Sequence, residues 1–472
     1  MQTYAIPLEN QFDYRPLSGD SIYFIGIGGI GMSAVARILI HEGCVVTGSD
    51  VSASSLISTL EKMGARINIK QDGSFMTPKT DMVVISAAIS EDNPELKTAR
   101  QMGIKVVKYS QILGSLMKEK RGIAISGTHG KTTTSAMIST IVKTAGLDPT
   151  FVIGGEVPDI GGNAHLGKGN LFVAEACEYD RSFLNLNPQI GVITNIEEDH
   201  LDYYEDIEKI ITAFGDFASL ISEDGLLVVN NNDANIALAV RRARSGVETY
   251  SLNKESDWRG EIFSAGAGIN RFRVFKRNEL FGEFSLKVPG SHNVFNALAA
   301  IAVCTHIGVE KEVIQTALAS FSGASRRFQI ISTENDITVI DDYAHHPTEV
   351  RVTLKAAREL YPRKKIWCVF QPHQYSRTRY LLRGFSQSFE DADKVIFTDI
   401  YAARDSEYEV AATGSGMLCK ETCRAGTDAQ YIPHLPAVVD TLSSEVAPGD
   451  VVITMGAGDV WKVACDLASR LR

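Results

Sequence analysis

The sequence has no excess of basic residues, few cysteines and few long apolar runs. Its 57 acidic residues outnumber its 47 lysines and arginines, and the formal net charge is −10. A nucleic-acid-binding protein is expected to show the opposite balance, so we predict no nucleic-acid partner. Positive charge that binds an anionic ligand must instead be concentrated at particular sites.

The seven cysteines are too few and too scattered to indicate a disulfide framework. Cys419 and Cys423 form a close pair, but no second pair matches their spacing. Free thiols in a reducing compartment are the favoured interpretation, and a zinc site at this pair is the alternative.

Residues 1–20 contain neither a basic stretch nor an apolar one, so they do not resemble a secretion signal. The apolar segment at residues 22–40 carries Arg37 and several glycines. A membrane helix that associates through small residues is the competing interpretation of that segment. We predict a cytoplasmic protein that binds no membrane and works as a monomer or weak homodimer.

The length of 472 residues predicts three domains, at about 150 residues each. Apolar residues make up 44% of the chain and charged residues 22%, as in ordinary folded proteins. Short apolar strands alternate with helical patterns along the chain. We therefore predict an α/β fold of three consecutive Rossmann-like or phosphate-loop domains with mostly parallel sheets.

The first third contains a glycine-rich turn between a strand and a helix. The apolar run SIYFI is followed by GIGGIG at residues 26–31 and then by the helical pattern MSAVARILIHEG. Such glycines permit a tight turn and close approach of the backbone to a phosphate. Asp50 ends the next strand, where it could accept a hydrogen bond from a ribose hydroxyl. The pattern indicates a bound nucleotide diphosphate, NAD(P) being one candidate; glycines used only for packing are the alternative.

The middle third contains a shortened phosphate loop. The strand GIAIS precedes GTHGKTT at residues 127–133, and a helix follows. The full Walker A spacing would need glycine where this chain has Ile125. The physical argument still holds, because backbone N–H groups cradle phosphates, Lys131 reaches the terminal phosphates and the Thr132 hydroxyl can bind Mg²⁺.

Metal-binding candidates follow two strands of this third. Glu175 ends the strand LFVAE, and His200 lies just beyond the strand GVIT. Because Mg²⁺ prefers oxygen ligands, we predict Thr132 and Glu175 as direct ligands and His200 as a ligand of a second ion. Three nearby acidic residues are interpreted as solvated loop charges: Glu178, Asp180 and Glu197.

Two further segments of the middle third suggest polar ligands. The glycine-rich loop at residues 154–165 includes Asn163 and His165 and suits close approach to a sugar. His292, Asn293 and Asn296 cluster at the start of an apolar helix, where they could contact an adenine edge. Helix capping explains one of the three without a ligand.

Five motifs in this order resemble the Mur ligase family: the glycine turn, GTHGKTT, EACEYD, TNIEEDH and PGSHNVFNAL. The resemblance runs from about Ile22 to the C-terminus. It departs from the family pattern at Cys177, Tyr179 and Gln374, none of which we assign to phosphate or metal. The resemblance implies an ATP- and Mg²⁺-dependent enzyme that forms amide bonds in peptidoglycan precursor synthesis. The segments DDYAHHPTEV and FQPHQYSRTR favour L-alanine and UDP-N-acetylmuramic acid as its other substrates.

The resemblance also implies roles for residues of the last third. Asp342 would hold the ATP ribose, and Arg327 would lie near the terminal phosphates. Tyr343, His373 and Arg377 would surround the amino acid. Arg377 has independent support, since a guanidinium group suits a carboxylate. For Arg379 and His346, surface ion pairs or helix caps are the alternative.

The resemblance divides the chain into a nucleotide-sugar domain at 1–118, an ATP domain at 119–325 and an amino-acid domain at 326–472. The residues assigned to the nucleotide sugar are Gly28, Gly29, Ile30, Gly31, Asp50, Ser86, Asn163 and His165. The residues assigned to ATP are Gly127, Thr128, His129, Gly130, Lys131, Thr132, Thr133, His292, Asn293, Asn296, Arg327 and Asp342. The residues assigned to catalysis are Lys131, His200, Arg327 and His373.

Three other functions remain open at this point. A ligase that attaches a tripeptide to the same nucleotide sugar is the nearest. An NAD(P)-dependent oxidoreductase would explain the glycine turn alone. A nucleotide switch without catalysis would explain the phosphate loop but not the last third.

Overall fold

The computed structural model describes residues 14–266, 268–403 and 405–472, so most of the N-terminal segment considered for a secretion signal lies outside it. The strands form three sheets, with five, ten and six strands and mostly parallel neighbours. This arrangement confirms the predicted fold class. Within the described ranges, no helix is both long and apolar enough to span a membrane.

The first sheet is entirely parallel and has the order β3-β2-β1-β4-β5. Its strands are β1 (Ser21–Ile25), β2 (Val45–Ser49), β3 (Arg66–Asn68), β4 (Met82–Ile85) and β5 (Lys105–Lys108). Its helices are α1 (Ile30–His41), α2 (Ser55–Lys62), α3 (Pro94–Gln101) and α4 (Tyr109–Met117). The strand order reverses between β1 and β4, which places the glycine turn after β1 at the crevice where such sheets bind ligands.

The second sheet has the order β15-β14-β13-β12-β11-β10-β6-β9-β7-β8. Its strands are β6 (Arg121–Ser126), β7 (Thr150–Val152), β8 (Ala164–His165), β9 (Leu171–Glu175), β10 (Ile190–Ile193), β11 (Leu226–Asn230), β12 (Gly246–Ser251), β13 (Trp258–Gly266), β14 (Ile269–Lys276) and β15 (Glu279–Leu286). Its helices are α5 (Lys131–Thr144), α6 (Leu201–Tyr204), α7 (Ile207–Leu220), α8 (Ala234–Ala239), α9 (Ser291–His306) and α10 (Lys311–Ser320), with 3₁₀ turns at Pro158–Ile160, Tyr179–Asn185 and Val240–Arg242. The antiparallel strands β13–β15 are an extension that the sequence analysis did not predict.

The third sheet has the order β16-β17-β21-β18-β19-β20, with only β16 antiparallel to its neighbour. Its strands are β16 (Gln329–Ser332), β17 (Thr338–Asp342), β18 (Ile366–Phe370), β19 (Lys394–Phe397), β20 (Ala429–Tyr431) and β21 (Val451–Met455). Its helices are α11 (Pro347–Leu360), α12 (Tyr375–Tyr380), α13 (Leu382–Ser386), α14 (Glu407–Ala412), α15 (Ser415–Arg424), α16 (Leu435–Glu445) and α17 (Trp461–Arg470), with a 3₁₀ turn at Glu334–Asp336. The last strand of the chain lies in the middle of this sheet.

Polar contacts join the first sheet's helices to the middle of the chain. The buried Asn163 side chain donates to the Ile30 carbonyl oxygen (2.9 Å) and accepts from Arg37 Nη1 (3.0 Å). Lys108 Nζ lies 2.5 Å from Asp180 Oδ2. The prediction of Asp180 as a solvated charge is therefore wrong, because its carboxylate forms an ion pair across this junction.

The backbone of α4 approaches the Tyr179–Asn185 turn closely at Gly114. A Cβ atom on this residue would lie 1.9 Å from the Asn185 backbone oxygen. We therefore expect Gly114→Ala to destabilise the protein by about 1–3 kcal/mol, despite the better helix propensity of alanine. The midpoint of urea-induced unfolding measures this effect.

The matched control is Gly416→Ala in α15, where the nearest atom to an added Cβ is 3.7 Å away on the Tyr431 ring. This control should unfold at the same or a slightly higher urea concentration than the unchanged protein. Equal midpoints for the Gly114→Ala and Gly416→Ala proteins would contradict the tight packing at Asn185.

Candidate active site

A cavity of about 530 Å³ lies between the second and third sheets. It opens at the carboxyl ends of β6 and β10, where parallel sheets collect ligands. Its lining includes the phosphate loop, the loop after β10, the start of α9 and residues that flank β17. The polar lining residues include His129, Thr133, Asn195, Glu197, Asn232, Asp233, Asn235, His292, Asn293, Asn296, Arg327, Asp342 and Glu349.

The phosphate loop owes its shape to glycine and to the neighbouring strand. Gly127 and Gly130 have φ angles of 139° and 82°, values that favour glycine. The Thr128 N–H donates to the Asn195 carbonyl oxygen (3.0 Å), and the His129 N–H donates to Asn195 Oδ1 (2.7 Å). The loop therefore leads into α5 so that the N-terminus of this helix faces the cavity. A helix N-terminus in this position suits a phosphate group.

The Lys131 ammonium group is buried and held by three groups. It donates to the carbonyl oxygens of Gly127 (2.5 Å) and Thr128 (3.1 Å) and pairs with Glu178 (2.9 Å). Burial alone would lower the pKa of Lys131, but the interactions with its acidic neighbours, Glu178 foremost, together outweigh burial and raise it. Lys131 is therefore charged when no phosphate is bound.

Glu178 is only 3% exposed, so its prediction as a solvated charge is wrong. Its place in the chain could have indicated this, since Glu178 follows the end of β9 by three residues and Glu175 is the last residue of that strand. Its Oε1 is 4.0 Å from His200 Nε2, and its carbonyl oxygen accepts from the Tyr204 hydroxyl (2.5 Å).

The three predicted metal ligands lie around this pair. Glu175 Oε1 accepts from the Gly154 N–H (2.5 Å), and burial raises the pKa of this carboxyl. The Thr132 hydroxyl interacts with Glu175 and lies 3.4 Å from Arg327 Nη2. The pair Thr132 and Glu175 thus offers the oxygen ligands that Mg²⁺ prefers.

His200 has one ring nitrogen with no hydrogen-bond partner in the described part of the chain. Its backbone is left-handed, with φ of 53°, and its ring packs against Tyr179 at 4.8 Å. Burial lowers the pKa of His200, which favours the neutral ring. Its Nδ1 is buried and has no hydrogen-bond partner among the described residues. A neutral, unpaired imidazole nitrogen fits a metal ligand.

The predicted adenine-contacting residues form one wall of the cavity. Asn293 donates to the Pro289 carbonyl oxygen (2.7 Å), and Asn296 donates to Asn293 Oδ1 (3.2 Å). Burial lowers the pKa of His292 to about 4, so this ring is neutral. The lining also includes Asn235 and Tyr250, for which no role was predicted from the sequence.

The third sheet contributes Arg327 and Asp342. The Arg327 guanidinium lies 5.1 Å from the centre of the Tyr343 ring and faces Thr132. Both oxygens of Asp342 accept backbone N–H groups, from Phe328 and Ala344 at 2.7 Å each. Burial raises the pKa of Asp342 to about 6. This carboxyl therefore fixes the segment that carries Arg327.

His129 joins the phosphate loop to α11. Its ring lies 3.5 Å from Glu197, 3.3 Å from Glu349 and 4.4 Å, centre to centre, from the His346 ring. Burial alone would lower the pKa of His129, but the two carboxylates outweigh burial and raise it to about 9. Glu197 also accepts from the Thr348 hydroxyl (2.5 Å), so its prediction as a solvated charge is wrong.

His129, Glu197 and His346 also have donor atoms close enough to suggest a metal cluster. His346 argues against this interpretation. Its Nδ1 accepts from the Thr348 N–H (3.3 Å) as the cap of α11, and its Nε2 contacts the Glu198 carbonyl oxygen (3.1 Å). Among the described residues, no such cluster includes a cysteine, so the zinc alternative at Cys419 and Cys423 gains no support.

The predicted amino-acid residues lie together beyond β17 and β18. Arg377 Nη1 is 3.1 Å from His373 Nδ1, and the His373 ring stacks on Tyr401 at 5.8 Å. The His345 ring lies between them and Tyr343, at 6.1 Å from His373 and 5.3 Å from Tyr343. No specific role was predicted for His345 or Tyr401 from the sequence.

The predicted nucleotide-sugar residues surround the turn after β1. The Gly28 N–H donates to Asp50 Oδ2 (2.8 Å), so Asp50 closes this turn. Gly29 caps α1, Ile30 begins it, and a Cβ on Gly31 would lie 3.2 Å from the Tyr109 ring. Tyr109 was missed by the sequence analysis. The remaining contacts are Ser86 Oγ with the Ala88 N–H (3.2 Å), His165 with Asp148 (2.9 Å), and Asn163 with α1 as described.

Three family models match consecutive parts of the chain. The model described as the Mur ligase family catalytic domain matches residues 21–121, the Mur ligase middle domain matches 125–304, and the Mur ligase glutamate ligase domain matches 326–458. Each match covers one of the three sheets.

Similar proteins match nearly the whole chain. A UDP-N-acetylmuramate–L-alanine ligase of Acetivibrio thermocellus is 47% identical over 94% of each chain. One of Caldanaerobacter subterraneus is 44% identical over 94% of this chain and 96% of that relative. The crystal structure of a UDP-N-acetylmuramate-alanine ligase from Thermotoga maritima covers 95% of this chain and 98% of its own, with a TM-score of 0.82 and 31% identity. Because motifs, fold and near full-length similarity agree, this chain belongs to the Mur ligase family.

Proposed function

We propose that this protein joins L-alanine to the lactyl carboxylate of UDP-N-acetylmuramic acid and converts ATP to ADP and phosphate. The observation that carries the proposal is the approach of Arg327, which lines the cavity between two domains, to the Thr132 hydroxyl beside Lys131 at the start of α5. The near full-length similarity to alanine ligases supports the choice of substrates.

The reaction needs two consecutive displacements. The lactyl carboxylate attacks the γ-phosphate of ATP, which gives an acyl phosphate and ADP. The amine of L-alanine then attacks the acyl carbon, loses a proton and displaces phosphate. Lys131 and Arg327 balance charge on the transferred phosphate, and His373 with Arg377 holds the amino acid. Positioning and charge stabilisation therefore supply most of the catalysis.

The donor set described above fits Mg²⁺. Thr132 and Glu175 would hold one ion, and His200 would hold a second. When bound, Mg²⁺ neutralises charge on the phosphate oxygens.

We assign the nucleotide sugar to residues 1–118, ATP to 119–325 and the amino acid to 326–472. The free thiols support a reducing compartment, so we propose that the protein works in the cytoplasm, as a monomer or weak homodimer. Contacts of the phosphate loop with α11 and of the loop after β10 with α12 close the amino-acid domain over the cavity. Such closure excludes water, which would hydrolyse an acyl phosphate.

The first test is the substrate dependence of ADP and phosphate release. We expect release from Mg-ATP only when both UDP-N-acetylmuramic acid and L-alanine are present, because the second displacement regenerates the enzyme. Each substrate is supplied alone and in combination, with a murein tripeptide in place of L-alanine as the comparison.

Release only with the tripeptide would assign the protein to the tripeptide branch. ATP binding without release in any combination would favour a nucleotide switch. Either result would contradict the proposed function.

A second test removes the phosphate-loop ammonium. We expect Lys131→Ala to lower kcat by at least about 100-fold, because a charge that stabilises the transferred phosphate is lost. The same substitution leaves the buried Glu178 carboxylate unpaired, so the double variant Lys131→Ala with Glu178→Gln separates lost folding from lost catalysis.

The matched control is Lys143→Ala, at the far end of the same helix, where Nζ contacts the Ile160 carbonyl oxygen. This control should keep the activity of the unchanged protein. Near-normal amide formation by the folded Lys131→Ala protein would contradict the assignment of the phosphate loop.

A third test examines whether the charge of His129, which contacts Glu349 of α11, stabilises the folded protein. The pKa of His129 is about 9 in the folded protein and 6.5 for an ordinary histidine. Protonated His129 therefore stabilises the folded state. Its contribution to the free energy of unfolding is complete below about pH 6.5 and is lost as the pH rises through about 9. We therefore expect His129→Gln to lower the urea midpoint at about pH 6 but to change it little at about pH 9.5.

His41→Gln, at an exposed position, is the control for this series. A difference between the His129→Gln protein and the unchanged protein that stays constant over this pH range would show that the charge of His129 does not stabilise closure.

A further inference from the structure

The guanidinium group of Arg377 is held from two directions. It is 6% exposed and belongs to α12 of the third sheet's domain. Its Nε donates to Asp199 Oδ1 (2.8 Å), and its Nη2 donates to Asp199 Oδ2 (3.3 Å). Asp199 belongs to the loop after β10, so this two-point contact crosses the domain junction.

The contact leaves one edge of the guanidinium group for a ligand. A guanidinium group has five N–H donors, and Asp199 uses the Nε donor and one Nη2 donor. Nη1 lies 3.1 Å from His373 Nδ1 and donates to the His373 carbonyl oxygen (3.3 Å). The second Nη2 hydrogen points away from Asp199, on the same side as Nη1. A carboxylate can bind at this edge through that Nη2 hydrogen, and through Nη1 in place of its contact with His373, while Asp199 stays in place.

Asp199 is itself fixed by its neighbour in the chain. Its Oδ1 also accepts from the His200 N–H (2.7 Å), and it is 7% exposed. His200 lies beside Glu178, which pairs with Lys131. The carboxylate that orients Arg377 is thus adjacent in sequence to the group assigned to the phosphate end of the site.

We infer that Asp199 is a positioning residue for the amino-acid substrate: it orients Arg377 across the domain junction so that the edge of the guanidinium group facing away from Asp199 binds the carboxylate of the incoming amino acid. This inference rests on the proposed function. It implies that the amino-acid pocket is complete only when α12 lies against the loop after β10.

The test compares steady-state constants for all three substrates in the Asp199→Asn protein. We expect the KM for L-alanine to rise by at least about tenfold, because truncating one partner of a buried charge pair is costly. The KM values for ATP and UDP-N-acetylmuramic acid should stay within about twofold, since neither ligand contacts Arg377 in this assignment.

A second measurement distinguishes positioning from general structural damage. L-alaninamide keeps the amine of L-alanine but lacks its carboxylate. The unchanged protein should strongly prefer L-alanine over L-alaninamide in kcat/KM. If Asp199 acts through the substrate carboxylate, this preference falls in the Asp199→Asn protein by about the same factor by which the KM for L-alanine rises.

The matched control is Glu205→Gln on the same segment, since the Glu205 carboxylate is exposed and pairs with Lys209. It should leave all three KM values unchanged. If the Asp199→Asn protein does not fold, Asp199→Glu carries the test, because it keeps the charge but moves it by one methylene group and should also raise the KM for L-alanine selectively.

Each outcome has a distinct meaning. Absence of L-alanine-dependent turnover in the unchanged protein would contradict the proposed function itself. Normal turnover in that protein, with an unchanged KM for L-alanine in both Asp199 variants, would overturn the inference alone. A uniform rise in all three KM values, or a fall in kcat alone with an unchanged preference over L-alaninamide, would also overturn it.

Discussion

The buried ammonium group of Lys131 is the contact on which the middle of the molecule depends. Moving an ammonium group out of water costs several kcal/mol, so its partners must be placed accurately. Glu178 supplies the compensating charge, and the Gly127 and Thr128 carbonyl oxygens supply the remaining acceptors. The phosphate loop and the segment after β9 are therefore fixed relative to each other before any phosphate binds.

The same segment carries the contacts to the first sheet's domain. The 3₁₀ turn Tyr179–Asn185 follows Glu178 directly, and it includes Asp180, which pairs with Lys108. Asn185 in this turn donates to the Ser110 hydroxyl (3.0 Å). The position of the first sheet's domain thus depends on a segment that is anchored at the phosphate loop. The third sheet's domain is attached differently, through the charged side chains of Arg377, His129 and Glu349.

Local patterns in the sequence predicted the elements well, because strand, turn and helix depend on residues close in the chain. The strands before both glycine turns and the helices that begin at Ile30 and Lys131 illustrate this. The alternation of apolar and polar residues in INRFRVFK is typical of a strand with one buried face. It could have predicted β14, which the sequence analysis missed. The charge pairs could not be predicted in this way. Glu178 is 47 residues from Lys131, and Asp199 is 178 residues from Arg377, so no local pattern connects them.

The position of β21 sets the order in which the molecule can be completed during synthesis. This strand is hydrogen-bonded to β17 on one side and to β18 on the other, yet it comes after all the other described strands in the chain. The first sheet needs nothing beyond residue 108, whereas the third sheet stays divided into two unconnected parts until residues 451–455 emerge. A nascent chain that ends before this point holds α11 and α12 on separate pieces of sheet. The residues that follow β17 and β18 are therefore joined through one sheet only after residues 451–455 have been translated.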